Sequence, residues 1–600
     1  MSPPFECVAV ACRGEIALRV IRACRELGVR SLALVAADER GAIAEREADA
    51  AVEVPSYLDA ATLAVSAGAG GAQALHPGYG FLSESPELAD ACRAAGLVFV
   101  GAPPAALATL ARKDAARDLA QRAGVPVVPG GADADEVGYP LLVKARAGGG
   151  GRGMRVVRDP GELAAAVEAA AREAEAAFGD GGLVYERYLE GARHVEVQIL
   201  RDTHGAGLHL GERDCSVQRR HQKVVEEAPA PGVGRELRGE LGTAALRLAE
   251  AVGYVGAGTA EFLLAPDGSW YFLEMNARIQ VEHPVTELVT SVDIVRRQLE
   301  IAAGRPLELE QGDVLLRGHA IEARIYAEDP EHGFLPTSGT VLAVRWPRGP
   351  GIRVDAGVDG GDAVGTRYDG LLAKLCVHGE TRARALARLR AALDDVVVLG
   401  LTTNLPLLRA IAADPAFERG EVDTGWLERT WVPGLEDGTG PAARAAADAY
   451  AAGERGASPW QGRWRAGLRP SEPGAPVARA EDGALHVWVD GRDVRVERAG
   501  LSEPEQHARR GAGAAAAGTA QISAPMPGAV LRLAVAEGDE VTERDVLLVL
   551  EAMKMEHPVR APFAGRVAHV ACREGQQVAA GDLLLELDAA TEPGGPGSDA

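Results

Sequence analysis

The sequence is poor in lysine. Only five of its 63 basic residues are lysine, at positions 113, 144, 223, 374 and 554. Arginine is used at nearly every basic position, so each lysine is an exception that requires an explanation. Positive charge is scarce overall, and the net charge of -23 argues against nucleic acid as the main partner. Long apolar runs are also lacking, since none approaches the roughly 18 residues that a membrane span requires.

Cysteine is scarce and scattered. The seven cysteines are odd in number and form no CxxC pair, which argues against a disulfide framework or a zinc site and predicts a reducing, cytoplasmic location. The first residues lead quickly into an apolar run, so we expect no targeting segment. A chain of 600 residues is too long for one core, which predicts three to five domains.

Residues 524–588 contain an internal repeat with an offset of 37 residues. Ala524-Pro525-Met526-Pro527-Gly528 recurs as Ala561-Pro562-Phe563-Ala564-Gly565. Short apolar runs between Gly-Asp and Pro-Gly signals predict strands and turns. We expect the two halves to pair into one small, flattened β-barrel.

Lys554 lies between the two halves, within Ala552-Met553-Lys554-Met555 and at a predicted exposed hairpin. A solvated loop lysine is the simpler interpretation, but arginine would serve solubility equally well. Only a primary amine forms a stable amide with a carboxylic-acid cofactor, which an always-protonated guanidinium cannot do. The motif resembles the biotin-attachment site of biotin carboxyl carrier domains and implies biotin on Lys554. Lipoyl domains share the repeat but usually carry Asp-Lys-Ala.

The N-terminal part begins with a predicted strand–helix–strand unit, which has the pattern of a nucleotide fold. Further on, a predicted strand at 141–144 leads into a glycine-rich run at 147–154. Four consecutive glycines free backbone N–H groups to approach phosphate oxygens, although the spacing is not that of a Walker loop. Lys144 directly precedes this loop and is predicted to meet phosphate.

Two glutamates are predicted to share a hairpin. Glu261 and Glu274 lie on two predicted strands joined by the turn Pro266-Asp267-Gly268. Pairing would place their carboxylates side by side, where hard oxygen ligands suit Mg²⁺. Structural acids are the alternative, but adjacent buried carboxylates without a partner repel.

A dense series of motifs resembles the biotin carboxylase family of ATP-grasp enzymes from about residue 5 to residue 430. The series comprises Arg13-Gly14-Glu15, His76-Pro77-Gly78-Tyr79-Gly80-Phe81, the glycine-rich run, Arg219-Arg220-His221-Gln222-Lys223, Glu274-Met275-Asn276-Ala277-Arg278, the segment 322–330 and Thr403-Asn404. Two positions depart from the family: Cys12 replaces the usual asparagine, and Gly365-Thr366-Arg367 stands where Pro-Pro-Tyr is common. We expect these departures to affect local packing or subunit contacts.

The resemblance implies a role for each candidate site residue in the ATP-dependent carboxylation of biotin. ATP contacts are expected from Lys113, Lys144, Gly149, Gly150, Gly151, Met154, Glu186, Leu189, His194, Gln218, His221 and Leu263. Mg²⁺ or Mn²⁺ is expected at Glu261, Glu274 and Asn276, and bicarbonate at Lys223, Arg278, Gln280 and Val281. The catalytic residues are expected to be Glu282 as general base, Arg324 as stabiliser of the biotin enolate, and Lys223 and Arg278. Lys374 is predicted to form a structural salt bridge.

The predicted fold is α/β: an ATP-grasp biotin carboxylase with a Rossmann-like N-terminal subdomain, a small β-rich bridging region and a C-terminal flattened β-barrel biotinyl domain. The boundaries are an N-terminal subdomain at 1–115, an ATP-grasp domain at 116–325, a carboxylase C-terminal subdomain at 326–435, a bridging region at 436–508, a flexible linker at 509–520, a biotinyl carrier domain at 521–589 and a disordered tail at 590–600. Within the bridging region, alternation around Asp490-Gly491 predicts a hairpin.

The whole chain resembles the α subunit of an acyl-CoA carboxylase. Expected partners are a biotin protein ligase, a separate carboxyltransferase β subunit and, through it, acetyl-, propionyl- or 3-methylcrotonyl-CoA; a homo-oligomer within a larger complex is also expected. Ser458-Pro459-Trp460 followed by Gly462-Arg463-Trp464 favours 3-methylcrotonyl-CoA. The alternatives are a component of pyruvate or urea carboxylase, or a non-catalytic carrier scaffold.

Overall fold

The computed structural model describes most of the chain. It covers residues 3–131, 133–146, 154–178, 180–431, 476–480, 484–489, 491–496, 519–552, 555–579 and 581–589. Several predictions fall outside these ranges: the phosphate contacts at Gly149, Gly150 and Gly151, biotin on Lys554, the tryptophans at 460 and 464, linker residues 509–518 and the tail. Within the described ranges, no helix has the length and apolar character needed to cross a membrane.

The N-terminal region is a five-stranded parallel sheet flanked by helices. Its strands, in spatial order, are Ala50–Val54, Arg30–Ala36, Cys7–Val10, Ala74–His76 and Val98–Phe99. The helices are Gly14–Glu26, Ile43–Glu47, Ala60–Ala69, Pro86–Ala94 and Pro104–Leu110. Strand Cys7–Val10 pairs with Arg30–Ala36 on one side and with Ala74–His76 on the other. The chain connections therefore diverge there, and a crevice opens at the carboxyl end of Cys7–Val10. Arg13 to Glu15 and residues 77–81 occupy that edge, as the predicted nucleotide fold requires.

A smaller antiparallel sheet covers one side of the next region. Its strands, in spatial order, are Gly130–Gly131, Leu183–Arg187, Leu141–Ala145 and Arg155–Val157. Helix Leu163–Phe178 packs on it, and its alanine-rich face and Val143 form a small apolar core. This sheet carries Lys144 and Glu186 on paired strands.

The largest element is an eight-stranded antiparallel sheet. In spatial order its strands are Trp270–Asn276, Gly256–Leu264, Arg193–Arg201, Gly207–Arg219, Gln222–Ala228, His319–Tyr326, Leu371–Gly379 and Ile352–Ala356. The helices around it are Lys113–Arg122, Arg235–Ala251, His283–Thr290, Ile294–Ala302, Arg382–Asp395 and Leu405–Ala413. Because one sheet runs from residue 193 to residue 379, strands from both sides of the predicted boundary at 325 build a single wall.

The hairpin predicted around Gly491 is present. Strands Leu485–Val489 and Arg492–Val496 pair antiparallel, with Val477–Arg479 as a third strand. Trp488 packs into the apolar core of the preceding region, and the backbone N–H of Gly400 donates to Asp493 Oδ2 at 2.9 Å. The hairpin is therefore fixed to the region that precedes it in the chain.

The C-terminal repeat forms two four-stranded sheets that face each other over one apolar core. One sheet holds Thr519–Ser523, Leu583–Ala589, Gly565–Val570 and Glu540–Val541, and the other holds Met555–Arg560, Val546–Ala552, Gly528–Leu533 and Gln577–Val578. Each sheet takes a two-residue strand from the opposite half of the repeat, which confirms the predicted pairing of the halves. Leu335, which lies far upstream in the chain, packs against this core.

Candidate active site

A cavity of about 1240 Å³ opens between the crevice of the N-terminal sheet, the small sheet and the large sheet. All the predicted contact residues that the structure describes line it: Lys113, Lys144, Met154, Glu186, Leu189, His194, Gln218, His221, Lys223, Glu261, Leu263, Glu274, Asn276, Arg278, Gln280, Val281, Glu282 and Arg324. Residues from segments distant in sequence therefore share one chamber, whose size suits a nucleotide and a small second substrate.

Lys223 is the centre of a buried charge cluster on the floor of the cavity. Its Nζ donates to Glu196 Oε2 at 2.5 Å, Glu282 Oε1 at 2.7 Å and Glu261 Oε1 at 2.8 Å. Burial alone would lower the pKa of Lys223, but the three carboxylates raise it well above its ordinary value. The amine is therefore a fixed positive charge and not a base.

Two of the three predicted metal ligands lie opposite each other. Glu261 and Glu274 are cross-strand partners, and Asn276 Nδ2 donates to Glu261 Oε1 at 2.9 Å. Burial and the charge of Glu261 raise the pKa of Glu274 above its ordinary value. A pair of carboxylates and an amide oxygen is a hard donor set that a divalent cation fits, because the cation would relieve this repulsion.

Arg278 is held in a fixed orientation at the cavity wall. Its guanidinium donates to Glu84 Oε2 at 3.2 Å, Gln280 Oε1 at 2.7 Å and Asn276 Oδ1 at 2.9 Å. Gln280 in turn donates to Glu261 at 3.1 Å. A planar guanidinium held in this way offers paired N–H donors to a small planar anion.

Glu282 lies between two cations. Lys223 donates to its Oε1, and Arg324 Nη2 donates to its Oε2 at 2.9 Å. Burial would raise the pKa of Glu282, but Lys223, Arg324 and Arg213 outweigh burial and hold the pKa well below its ordinary value. Arg324 also donates through Nε to Glu226 Oε1 at 2.5 Å. The carboxylate is thus ionised and faces the cavity beside a positioned guanidinium.

The opposite end of the cavity carries the predicted nucleotide contacts. Lys144 donates to Glu186, which also accepts from Arg117 at 3.2 Å. Burial lowers the pKa of Lys113 despite the nearby carboxylate of Glu274. Apolar side chains of Leu189 and Leu263 line the same end. This end of the cavity therefore suits a nucleotide, because the cations can bind its phosphates and the apolar surface can contact its flat base.

Sequence reasoning missed Glu196 and Arg213, which lie beneath the cluster. Arg213 Nε donates to Glu196 Oε1 at 2.6 Å, and neither side chain is exposed. Strand alternation places Glu196 on the same face as His194, which was predicted, so the period of two was the signal that could have found it. Arg213 comes from the neighbouring strand, and its proximity follows only from the register.

Lys374 forms the predicted ion pair. Its Nζ lies 3.2 Å from Glu15 Oε2 and also donates to the carbonyl oxygen of Val281 at 2.9 Å. The buried lysine therefore links the N-terminal crevice to the loop that carries Val281 and Glu282. This contact with a site residue was not predicted.

The two departures from the family pattern lie near the mouth of the same crevice. The thiol of Cys12 is buried, and a Cβ at Gly78 would lie only 2.6 Å from its Sγ, so Gly78 must stay glycine. Arg367 donates to Asp38 Oδ2 at 2.7 Å, and Arg13 stacks on the ring of Tyr368. Cys12 is accommodated by packing, whereas Arg367 forms an ion pair with Asp38 at the surface.

Four family models match the chain in order. They are the biotin carboxylase N-terminal domain at 4–107, the carbamoyl-phosphate synthase L chain ATP-binding domain at 112–310, the biotin carboxylase C-terminal domain at 322–429 and a biotin-requiring enzyme domain at 520–587. The chain is also 42% identical over 582 residues to the biotin-dependent acyl-coenzyme A carboxylase alpha3 subunit of Mycobacterium leprae, covering 92% of this chain and 93% of the relative. The chain belongs to the biotin carboxylase family.

Two further similarities concern the carboxylase portion. A methylcrotonoyl-CoA carboxylase α subunit of Oryza sativa is 48% identical over 443 residues, which are 71% of this chain and 60% of the relative. The biotin carboxylase domain of a 2-oxoglutarate carboxylase from Hydrogenobacter thermophilus, solved with MgADP, ADP and bicarbonate, superposes with a TM-score of 0.69 at 43% identity and covers 71% of this chain and 97% of that one. This chain therefore spans about three fifths of the Oryza relative and nearly all of the solved domain.

Membership in the biotin carboxylase family confirms several predictions. The ATP-grasp fold, the enzyme class of ligase and the set of biotin, ATP, magnesium and bicarbonate are those of the family. The individual residue roles, the domain boundaries, the oligomer and the cytoplasmic location stay predictions.

Proposed function

We propose that this protein carboxylates biotin carried on its own Lys554, using ATP and bicarbonate, and that it acts as the α subunit of an acyl-CoA carboxylase. The observation that carries the proposal is the convergence of Lys223, Arg278, Glu282 and Arg324 on one cavity that also holds the predicted nucleotide contacts. Each of these side chains has a role in the reaction that transfers the carboxyl group of bicarbonate to a nitrogen of biotin.

The nucleotide end would bind ATP through Lys113 and Lys144, with Glu186 and Leu189 beside the base. Glu261, Glu274 and Asn276 would hold Mg²⁺, which neutralises charge on the phosphates when bound. Glu261 Oε1 accepts from Lys223, Asn276 and Gln280, so these donors fix its orientation. This part of the site positions the γ-phosphate towards the charge cluster.

Bicarbonate would lie against Arg278, Lys223 and the Gln280–Val281 backbone. There Glu282 would accept its proton, so that a bicarbonate oxygen can attack the γ-phosphorus and release ADP. Both Glu282 oxygens accept hydrogen bonds from charged donors. An anion that attracts Lys223 and Arg324 would weaken those hydrogen bonds and raise the basicity of Glu282, which couples activation of the base to substrate binding.

Arg324 would face the ureido group of biotin, where its fixed positive charge opposes the negative charge that develops on the oxygen. The carrier lies close to this cavity. Burial and the charge of Arg220, a cavity-lining residue, lower the pKa of His557, three residues beyond the predicted attachment position. A carrier seated there supports delivery of biotin within one polypeptide.

The acyl-CoA assignment is favoured by the extent of one similarity. The match to the Mycobacterium leprae acyl-coenzyme A carboxylase α3 subunit continues through the carrier and spans 92% of this chain. A separate β subunit would then transfer the carboxyl group to acetyl-, propionyl- or 3-methylcrotonyl-CoA. A pyruvate or urea carboxylase component remains the alternative within the family.

Two experiments test the proposal. Purified protein should release ADP only when bicarbonate is present, and added free biotin should sustain that turnover, whereas a non-catalytic carrier scaffold would show no such turnover. Co-purification of the partner subunit, followed by assays with the three acyl-CoAs and with pyruvate, identifies the acceptor. Turnover with pyruvate alone would reject the acyl-CoA assignment without affecting the carboxylase assignment.

A further inference from the structure

Two buried carboxylates that the proposed chemistry does not use lie behind Arg324. Strands Gln222–Ala228 and His319–Tyr326 pair antiparallel, and their register places Glu226 directly opposite Glu322. Neither residue has any exposed surface. Directly opposed residues of an antiparallel pair point to one face with their Cβ atoms about 4.5–5.5 Å apart, so the two acids are neighbours in the protein interior.

Each acid has one oxygen in a hydrogen bond and one without a partner. Glu226 Oε1 accepts from Arg324 Nε at 2.5 Å, and Glu322 Oε2 accepts from the Cys376 thiol at 3.3 Å. Over the described part of the chain, Glu226 Oε2 and Glu322 Oε1 are buried with no hydrogen-bond partner. A proton on either of these oxygens would give the other a donor and would remove the cost of an unpaired buried oxygen.

The charges around the pair cannot balance two carboxylates. The titratable groups that face the pair are Lys223, Arg324, Lys374, Glu282, Cys215 and Cys376. Lys223 is shared by three other carboxylates, Lys374 lies between Glu15 and Asp355, and Arg324 also binds Glu282. Burial raises the pKa of Glu226 to about 7 and that of Glu322 well above its ordinary value.

We propose that Glu226 and Glu322 share one proton and that this singly charged pair is a positioning device for Arg324. The inference rests on the proposed function, in which Arg324 faces biotin. While the pair keeps its proton, Glu226 Oε1 binds Nε and Nη2 of Arg324, Nη2 also reaches Glu282, and the guanidinium stays at the cavity wall. At alkaline pH the proton leaves to solvent, and the doubly charged pair attracts the guanidinium away from the substrate.

The proposal predicts an alkaline decline in kcat/KM for free biotin that depends on the pair. In E322Q the amide cannot ionise, so the midpoint of the decline in kcat/KM should shift to a higher pH by at least about one unit. In E226Q Arg324 loses its inner acceptor, so kcat/KM for biotin should fall about tenfold or more at every pH while the KM for ATP changes less than about twofold. Both acids act through Arg324 and touch no substrate.

E227Q is the matched control. Glu227 is the next residue on the same strand, is also buried, and accepts from His319 and Arg382 on the opposite face of the sheet, each at 2.6 Å. The control is expected to lower stability but to leave the alkaline decline in place. An equal shift of the pH profile in E227Q would show that any lost buried acid has this effect and would overturn the proposal.

Infrared spectroscopy gives a readout that does not depend on turnover. The full-length protein should show a protonated-carboxyl C=O band that titrates at alkaline pH, is missing in E322Q and persists in E227Q. E322D, which keeps an acid one methylene shorter, should shift the band, and it serves if E322Q does not fold. A band that both Glu322 variants leave unchanged overturns the shared proton. A band that behaves as expected in a protein without biotin turnover would instead reject the proposed function alone.

Discussion

Replacing Lys223 with methionine tests the charge cluster most directly. The substitution keeps most of the side-chain volume but removes the positive charge that Glu196, Glu261 and Glu282 share. Two of these carboxylates retain other donors: Arg213 donates to Glu196, and Asn276 and Gln280 donate to Glu261. Glu282 keeps only Arg324 as a direct partner among the described side chains, so it is the most affected.

The magnitude follows from burial. Removing one member of a buried, hydrogen-bonded charge cluster costs about 3–5 kcal/mol, because the remaining charges stay out of water without compensation. With an unfolding entropy of about 2.1 cal/mol/K per residue, a region of roughly 430 residues shifts by about 1 °C per kcal/mol, so the melting temperature of residues 5–430 should fall by roughly 3–6 °C. Bicarbonate-dependent ADP release should be lost as well, since the base and the anion site share this lysine.

The effect should depend on pH in a defined direction. Lys223 holds the pKa of Glu282 well below its ordinary value of 4.5, so this stabilisation is fully present above pH 4.5 and is lost as the pH falls through the lower, folded-state pKa. The stability difference between wild type and the Lys223→Met variant should therefore be large at neutral pH and should narrow as the pH drops below about 4.5. Calorimetric melting at a series of pH values measures it.

The control for Lys223→Met is Arg172→Met. Arg172 pairs with Glu168 on an exposed helix surface, where loss of a cation costs about 0–1 kcal/mol. If Lys223→Met lowered the melting temperature no more than this control, or if the difference did not narrow in acid, the cluster would not be held by shared charge and the assignment of Lys223 would be wrong.

Four further outcomes are expected. Glu282→Gln should lower bicarbonate-dependent ATP turnover by about 100-fold or more while titration calorimetry shows unchanged nucleotide affinity; unchanged turnover would reject Glu282 as the base. Lys554→Arg should show no added biotin by intact-mass analysis after co-expression with a biotin ligase, yet should keep turnover with free biotin. Chelation of divalent cations should abolish turnover, and Mg²⁺ or Mn²⁺ should restore it. Arg220→Glu reverses the charge that faces His557, so it should alter carboxylation of the attached biotin but not of free biotin, and equal effects on both would contradict a docked carrier.

Local features of the site could be predicted from the sequence, whereas long-range ones could not. The pairing of Glu261 with Glu274 follows from a short turn between two strands, and the carrier barrel follows from a repeat that is visible in the sequence. The contacts of Lys223 could not be derived in the same way. They depend on the order and register of strands that are far apart in sequence, and no local pattern encodes that order.

The same geometry explains why Lys223 and Arg324 lie on strands. Along His319–Tyr326, Ile321, Ala323 and Ile325 pack into the main apolar core, while Glu322 and Arg324 point to the opposite face, towards helix His283–Thr290. Strands are fixed by hydrogen bonds on both sides, so each charged side chain is positioned by a backbone that the apolar face holds in place. A slip of one residue would bury the wrong face, so the hydrophobic core and the buried charges select the same register. The apolar core on the other face of the strand offsets the free-energy cost of burying these charges. As a result, Arg324 and Glu282 are joined by a direct hydrogen bond.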